Sequence, residues 1–289
     1  TYPHQSYNDE GKPDLPWRTG NICTNTQARV IGRHGYDMEP YTTEDRLLWH
    51  CQRAVEWIRC ASRDELVFPG EPFELPQIPP SCVDTNTVCF CEGSISALAR
   101  SHPQLSSGRA RCFNLRGDEK RWFVDLFMGT TSEEPIQVSW GQRVTRLRGK
   151  TWDGVWLKLP DMPVVKPYRF PETWGELRQA LSEHGVSLRE IISSFSKHLR
   201  DGEVHFLLVG FPIPAVCGGP GAIMHWLAVG LPILSRKREF ANGFRNNEQG
   251  YVQNDMQTLF RRENRIVYMP TENWHPDHIQ NRGRFQEGL

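Results

Sequence analysis

Cys23 is the residue of this sequence whose type and setting best suit covalent chemistry. It lies just ahead of a helical region, in the polar, turn-prone segment Gly20-Asn21-Ile22-Cys23-Thr24-Asn25. A thioester formed on a cysteine is activated towards amines, so such a cysteine can accept a carboxyl group from one carrier and hand it to a lysine. The sequence therefore predicts acyl transfer on Cys23, which requires an exposed thiol and a nearby oxyanion donor.

Candidate oxyanion donors lie close to Cys23 in the sequence. The amides are Asn8, Asn21 and Asn25, and the segment Tyr2-Pro3-His4 lies upstream of them. We take His4 and Asn21 together with Cys23 as the candidate catalytic residues, although spacing alone does not decide which amide donates. The alternative interpretation of Cys23 is a reduced loop cysteine without a chemical role.

The elements that must position this cysteine are a loop-rich start and one helix. Residues 1–43 are rich in Pro, Gly, Asn and Thr, which predicts loop with short extended pieces. A helix is predicted from Glu44 to about Ser62, with Thr42 or Thr43 as its N-cap. Its evidence is the helical spacing of four positions, Leu48, Cys51, Val55 and Ile58.

A proline-rich stretch, 68–80, cannot hold a regular element and predicts a domain boundary, giving domains 1–76 and 77–289. The second domain is predicted to combine strands and helices, so the fold class is α+β. Strands are predicted at 87–90, 122–128, 136–140 and 266–269, together with a buried strand at 204–210 that leaves its sheet at the following prolines. Helices are predicted after two capping boxes, at 173–176 and 187–190.

Composition argues against several partner classes. Thirty-four basic residues balance thirty-four acidic ones, so no overall field attracts nucleic acid or an anionic membrane. The longest apolar run, 223–234, is shorter than the roughly 20 residues of a membrane helix.

Eight scattered cysteines without an export signal predict reduced thiols in the cytoplasm. A first residue other than Met predicts a piece of a longer polypeptide.

Several motifs carry a family resemblance. The segments Tyr2-Pro3-His4, Asn21-Ile22-Cys23 and 46–76 together resemble the second half of a bacterial ubiquitin-conjugating domain. Later motifs resemble the connecting region of bacterial fusion proteins that join a conjugating domain to an activating domain of the ThiF type. These later motifs are Leu207 to Pro214, His225-Trp226-Leu227-Ala228, Glu272-Asn273-Trp274 and Arg282-Gly283.

The resemblance implies a partial conjugating domain at 1–76 and a linker or platform domain at 77–289. It further implies that an adenylating domain, which would use ATP, follows Leu289 in the same polypeptide, and that this chain holds no cofactor itself. The implied partners are a ubiquitin-like protein or the C-terminus of a cGAS-like nucleotidyltransferase, in the cyclic-oligonucleotide (CBASS) anti-phage operons. The enzyme class it implies is a ubiquitin-conjugating-like transferase, and the sequence leaves homodimer formation open.

Two other functions remain open at this point. Residues 77–289 could form a non-catalytic platform that docks the partner protein. Alternatively, Cys23 could serve a cysteine hydrolase with His205 or His225 as its base, which requires the thiol and the imidazole within hydrogen-bond reach. A core position is the alternative interpretation of His225, because it lies in an apolar run.

Other clusters are weaker candidates. Cys82, Cys89 and Cys91 lack the paired spacing of a zinc site and are interpreted as buried thiols rather than metal ligands. His275 and His278 flank a proline, which favours a surface loop. The segment 218–221 is rich in glycine but lacks the lysine and hydroxyl residue of a phosphate-binding loop, so we predict a turn. No metal site is predicted.

Overall fold

The computed structural model describes the chain in segments: residues 5–8, 14–15, 19–22, 24, 40–67, 69–70, 73–91, 106–129, 135–166, 168–195, 198, 205–231, 244–246, 252–254 and 264–274. The α-helices are α1 Thr43–Arg63, α2 Gln142–Arg146, α3 Trp174–Glu183 and α4 Leu188–Phe195, and a short 3-10 helix covers Pro80–Cys82. The strands are β1 Gln5–Asn8, β2 Gly20–Ile22, β3 Thr87–Phe90, β4 Ser107–Leu115, β5 Asp118–Gly129, β6 Ile136–Gln137, β7 Arg148–Lys158, β8 Phe206–Pro214, β9 Gly221–Gly230, β10 Phe244–Asn246, β11 Val252–Asn254, β12 Val267–Met269 and β13 Thr271–Asn273. This mixture confirms the predicted α+β class.

The chain divides into two compact units. The first comprises 1–79, 164–170 and 213–222, and the second comprises 80–163, 171–212 and 223–289. In the first unit, the Tyr168 hydroxyl donates a hydrogen bond to the Glu74 carbonyl, and Gly70 N–H donates to the Cys217 carbonyl at 2.8 Å. Burial raises the pKa of Tyr168 to about 12. These bonds hold the two later segments against the proline-rich stretch.

One large sheet dominates the second unit. Its strand order is β12-β9-β8-β7-β4-β5-β3-β13, with β6 paired to β5. The long central strand β4 pairs antiparallel with both β5 and β7, whereas the β7–β8, β3–β5 and β3–β13 pairs are parallel. The helices α3 and α4 contact each other, and α4 also contacts β7. Parallel pairing of β7 with β8 requires a crossover, and α3 and α4 supply it.

The core on one face of this sheet is aromatic. Trp156, which is 0% exposed, meets Phe127 edge to face with ring centroids 5.9 Å apart, and its indole N–H donates to the Met128 carbonyl at 3.0 Å. Directly opposite on β4 is Gly108, where an added Cβ would collide with the Met128 carbonyl oxygen and approach the Trp156 indole nitrogen to 2.6 Å. Glycine at 108 therefore makes room for the indole and the neighbouring strand.

Both predicted capping boxes begin helices. Thr173 is the N-cap of α3 and accepts from the Glu176 N–H at 3.2 Å, while the Glu176 carboxylate accepts from the Glu172 N–H. Ser187 accepts from the Glu190 N–H at 3.3 Å at the start of α4. Gly185, with φ of 72°, follows the end of α3 as predicted, because glycine adopts this left-handed conformation at little cost.

The first helix begins as predicted, but its periodic apolar residues do not face a core. Thr42 caps α1 by accepting from the Asp45 N–H, and the helix ends one residue after the predicted Ser62. Trp57 is its buried residue, whereas the four residues at helical spacing are exposed: Leu48, Cys51, Val55 and Ile58. The apolar periodicity therefore predicted the helix correctly. It did not predict the buried face, which carries Trp57.

Two strand predictions need correction. The predicted strand 136–140 is shorter, since β6 ends at Gln137. The strand predicted to leave its sheet after Gly210 instead continues as β8 through Phe211-Pro212-Ile213-Pro214. The pairing of β8 with β7 ends at Gly210. The two prolines, which have no backbone N–H, therefore follow the last residue that hydrogen-bonds to β7. The prediction of strand 87–90 is confirmed. The prediction of no regular element at 68–80 holds for the described residues through 79, but a 3-10 helix begins at Pro80.

Within the described part of the chain, none of the helices combines the length and apolar character needed to cross a membrane.

Candidate functional site

The hairpin of β1 and β2 contains Asn21, one of the three residues predicted to do chemistry. The two strands pair antiparallel, with Gln5 opposite Ile22 and Ser6 opposite Asn21. The register shifts before Asn8, which pairs with Gly20. This two-stranded ladder belongs to the first compact unit.

Cys23 and His4 lie outside the described residues. Each is bonded to one residue of the last described pair, because His4 precedes Gln5 and Cys23 follows Ile22. The roles of His4 and Cys23, which are 19 positions apart in the sequence, therefore stay predictions.

Asn21 is the predicted site residue that the structure describes. It is exposed in β2, and its side-chain amide makes no hydrogen bond to another described residue. Alternate residues of a strand point to opposite faces. A side-chain amide has two N–H donors, which is the chemistry that the predicted oxyanion role requires.

A histidine that the sequence analysis did not select lies next to this segment. The Thr24 hydroxyl and His50 Nδ1 are 3.0 Å apart, and His50 is half-buried on α1. Thr24 directly follows Cys23, so this hydrogen bond joins the cysteine segment to the helix. No sequence signal indicated His50, because the contact joins residues 26 positions apart.

Two other thiols of the first unit lie on α1. Cys51 is exposed and lines a groove of about 590 Å³ along the helix between Trp49 and Arg59. Cys60 lies 3.8 Å from a Glu56 carboxylate oxygen, and desolvation followed by the charge of Glu56 raises its pKa. A raised pKa disfavours the thiolate and makes Cys60 a poor nucleophile.

The two histidines proposed as hydrolase bases have structural environments of their own. His205 is 4% exposed, and its Nδ1 lies 2.8 Å from the Asp153 carbonyl oxygen. The His225 ring packs against Phe211 with centroids 5.3 Å apart, and burial lowers its pKa to about 4. Because Cys23 lies outside the described residues, its distance from either ring is untested and the hydrolase alternative stays a prediction.

The low pKa of His225 predicts a pH-dependent stability. The unfolded imidazole has a pKa of about 6.5, so the unfolded chain binds a proton more readily than the folded chain. The contribution is complete above about pH 6.5 and is lost as the pH falls towards about 4. His225→Gln is expected to flatten the stability curve in that window, measured by urea unfolding at several pH values. Parallel curves for the two proteins would contradict this assignment.

The cysteines considered as metal ligands are largely buried. Cys82 and Cys89 are 1% and 0% exposed, and Cys91 is half-buried. Burial, reinforced by the charge of Glu272, raises the pKa of Cys89 to about 12. Among the described residues, no group of three or more His, Cys, Asp or Glu side chains could hold a metal ion. His275 and His278 lie outside the described residues.

The glycine-rich segment forms the turn between two strands. Residues 215–220 connect β8 to β9, Gly218 has φ of 76°, and Gly219 N–H donates to the Val216 carbonyl at 3.0 Å. The turn predicted at 218–221 is confirmed except for Gly221, which is the first residue of β9. The segment offers no helix N-terminus to a phosphate, which is the feature that phosphate-binding loops use.

The linker-like motifs occupy strands of the large sheet. Residues 207–214 lie in β8, 225–228 in β9, and Glu272 and Asn273 in β13. Trp274 follows β13, is 40% exposed and donates its indole N–H to the Glu272 carboxylate at 2.8 Å. The motif at 282–283 lies outside the described residues.

Comparison with known proteins gives two findings. The family described as the Cap2 central linker domain matches residues 64–274. The chain is also similar to the ATP-dependent ubiquitin transferase-like protein Cap2 of Enterobacter hormaechei subsp. hoffmannii (strain UCI 50), with 29% identity over 287 residues. The similarity covers 98% of this chain and 47% of that protein, so the chain spans about half the length of the curated relative it matches.

Proposed function

The chain belongs to the Cap2 central linker domain family, and we propose that it carries out acyl transfer within a ubiquitin transferase-like protein, with Cys23 as the thioester-forming residue. The family match begins at Asp64, the C-cap of α1. The β1–β2 hairpin and α1 therefore precede the matched region. We assign them to a partial ubiquitin-conjugating-like domain, and the large sheet to the linker.

The observation that carries this proposal is the register of the β1–β2 ladder. Its last described pair is Gln5 and Ile22, and in the sequence His4 directly precedes Gln5 while Cys23 directly follows Ile22. Asn21 is exposed one residue before Ile22, and Thr24 is held by His50. A nucleophile, an amide donor and an anchored flanking residue thus belong to one short segment, as acyl transfer requires.

The proposed reaction has two balanced steps. First, the Cys23 thiolate attacks the thioester carbonyl of a charged carrier, a new C–S bond forms, and the carrier's cysteine leaves as a thiolate. Second, a target amine attacks the Cys23 thioester, an amide bond forms, Cys23 leaves as a thiolate, and the amine proton passes to solvent. Asn21 would donate to the oxyanion of each tetrahedral intermediate. His50 acts as a positioning residue through Thr24.

We assign the ATP-consuming step to a separate adenylating domain of the ThiF type. The glycine-rich segment 218–221 of this chain is a strand-to-strand turn and does not fit a phosphate-binding loop. The protein joined to Cys23 would be a ubiquitin-like protein or the C-terminus of a cGAS-like nucleotidyltransferase. We place the reaction in CBASS anti-phage defence in the cytoplasm.

A second candidate function is a docking platform formed by the large sheet unit. The observation that favours it is that most of the family match falls on this unit. The cysteines of this unit at 89 and 112 are 0% exposed and have pKa values raised by burial. Such thiols are protonated and inaccessible, so neither of them can serve as an acyl carrier. Docking and acyl transfer are compatible because they belong to different units.

The test is a charging assay on the full-length protein with its activating domain, ATP and candidate carriers. We expect a reductant-sensitive adduct on the wild-type protein and complete loss of that adduct in Cys23→Ala. The physical reason is that an alanine methyl group cannot form a thioester. Non-reducing gel electrophoresis with mass spectrometry measures the adduct and its site.

Matched controls are Cys51→Ala and Cys60→Ala, which remove the two half-buried or exposed thiols on α1. Both should charge like the wild type. An adduct that persists in Cys23→Ala, or one lost in Cys51→Ala instead, would place the chemistry elsewhere. In that event the chain is left with the docking function.

A further inference from the structure

Basic residues gather at one end of strands β4, β5 and β7. The segments 116–121 and 142–150 contain seven cationic side chains and two carboxylates, in a chain whose net charge is zero. Five of these cations form no ion pair with a described residue, and we call them the basic patch: Arg116, Lys120, Arg143, Arg146 and Lys150. All five are exposed.

Backbone contacts bring the two segments together. Leu115 is the Cα partner of Arg148, and the Arg116 N–H donates to the Leu147 carbonyl at 2.7 Å. The Arg116 Nε also donates to the Arg148 carbonyl at 3.1 Å, and the buried Asn114 accepts from the Lys150 N–H at 2.9 Å. The β4–β5 turn and the α2–β7 junction therefore form one continuous surface of the sheet unit.

Nearby carboxylates are already engaged by other cations. Asp118 binds Arg121 at 3.2 Å and accepts two backbone N–H groups of its own turn. Asp125 lies below the surface, where it is bound by Arg111 and Arg148. Glu119 is the remaining acidic residue of the two segments. Among the described residues, therefore, the carboxylates of Asp118 and Asp125 are paired with cations outside the basic patch.

The composition of this surface favours a protein partner over a nucleic acid. Three of the five cations are arginines, whose planar guanidinium groups bind carboxylates in a bidentate manner. Leu147 is 50% exposed between Arg146 and Arg148, which gives the patch an apolar centre within a charged rim. The segments 116–121 and 142–150 contain no aromatic residue, whereas readers of single-stranded nucleic acid use aromatic side chains to stack bases.

We propose that the basic patch docks an acidic segment of a protein partner, whose carboxylates contact the patch and whose apolar side chain covers Leu147. This surface lies in the large sheet unit, and the inference does not depend on the chemistry of Cys23. It gives the docking function a defined surface and a defined chemical class of partner. Charge complementarity of this kind raises association rates and selects against basic partners.

The probe is a fluorescein-labelled peptide of eight glutamates interrupted by one leucine, titrated with the full chain at low ionic strength. The triple variant Arg143→Glu, Arg146→Glu and Lys150→Glu is expected to weaken binding at least about tenfold, because three attractive contacts become repulsive. Leu147→Ser should weaken it by about threefold to tenfold through loss of the apolar contact. Fluorescence anisotropy measures the dissociation constants.

The matched control reverses three exposed cations elsewhere, with Lys166→Glu, Arg178→Glu and Arg189→Glu. It changes the net charge equally and should leave peptide binding within about twofold of the wild type. Equal losses in both triple variants would reduce the effect to net charge and overturn the proposal, as would absence of binding. Tighter binding of a single-stranded RNA of equal charge would also overturn it, in favour of nucleic acid. If the charge-reversal variant does not fold, the test is repeated with the triple variant Arg143→Gln, Arg146→Gln and Lys150→Gln.

Discussion

Replacing Trp156 by alanine is expected to lower the free energy of unfolding by about 3–5 kcal/mol. The indole is 0% exposed at the centre of the sheet, meets the Phe127 ring edge to face, and donates to the Met128 carbonyl at 3.0 Å. The substitution leaves a large cavity and removes the hydrogen bond to that carbonyl. Gly108 faces this position on the neighbouring strand and has no side chain to fill the space. Urea unfolding followed by circular dichroism measures the change.

The control for Trp156 is Trp274→Ala, since Trp274 is 40% exposed. Its loss should cost under about 1 kcal/mol, as for most substitutions outside a core. Trp156→Phe keeps an aromatic ring but loses the N–H donor, so it should fall between the two. If Trp156→Ala destabilises the protein no more than Trp274→Ala does, the indole is not at the centre of the core.

Removing the Asp125 carboxylate is expected to give the second-largest loss, about 2–3 kcal/mol in Asp125→Ala. Its side chain is 8% exposed, and Arg111 binds it with both Nε and Nη2, at 3.1 and 3.0 Å, while Arg148 binds the same carboxylate from β7. The loss of stability is smaller than for a fully buried ion pair because the Arg111 and Arg148 side chains are 38% and 34% exposed. Water can therefore solvate their guanidinium groups once the carboxylate is removed. Urea unfolding measures the loss.

A double-mutant cycle separates the ion pair from other effects of the substitution. Arg111→Ala, Asp125→Ala and the double variant should give a coupling energy of about 1–3 kcal/mol. Glu56→Ala serves as the control, since the Glu56–Arg59 pair is exposed on α1 at 3.7 Å and should contribute under about 1 kcal/mol. Additive effects of Arg111→Ala and Asp125→Ala would show that the carboxylate does not clamp the strands.

The Asp125 clamp also bears on the basic patch. It links β4, β5 and β7 through Arg111 and Arg148, and Arg148 further stacks over the Phe113 ring at 4.9 Å. Arg148 starts the strand whose first residues carry part of the patch. The clamp therefore fixes the surface to which an acidic partner would dock, so that docking requires little ordering of the backbone.

Local signals in the sequence predicted many of the elements. Thr42, Thr173 and Ser187 identified the helix starts because an N-cap satisfies N–H groups only three residues away. The strand at 87–90 and the absence of regular structure at 73–79 were read from residue types alone. The prediction that the strand ends before the prolines at 212 and 214 was wrong. Whether a proline ends a strand depends on whether a neighbouring strand needs an N–H at that position.

The sequence by itself predicted the α+β class, the helix caps, the candidate Cys23 and a resemblance to conjugating–activating fusion proteins, because each was read from short local motifs. Only the tertiary structure decided that the apolar stripe of α1 is exposed, that His50 holds Thr24, and that Asp125 joins Arg111 to Arg148. It also decided that two basic segments form one patch. These features depend on contacts between residues 14 to 32 positions apart, and strand pairing and helix packing fix such contacts.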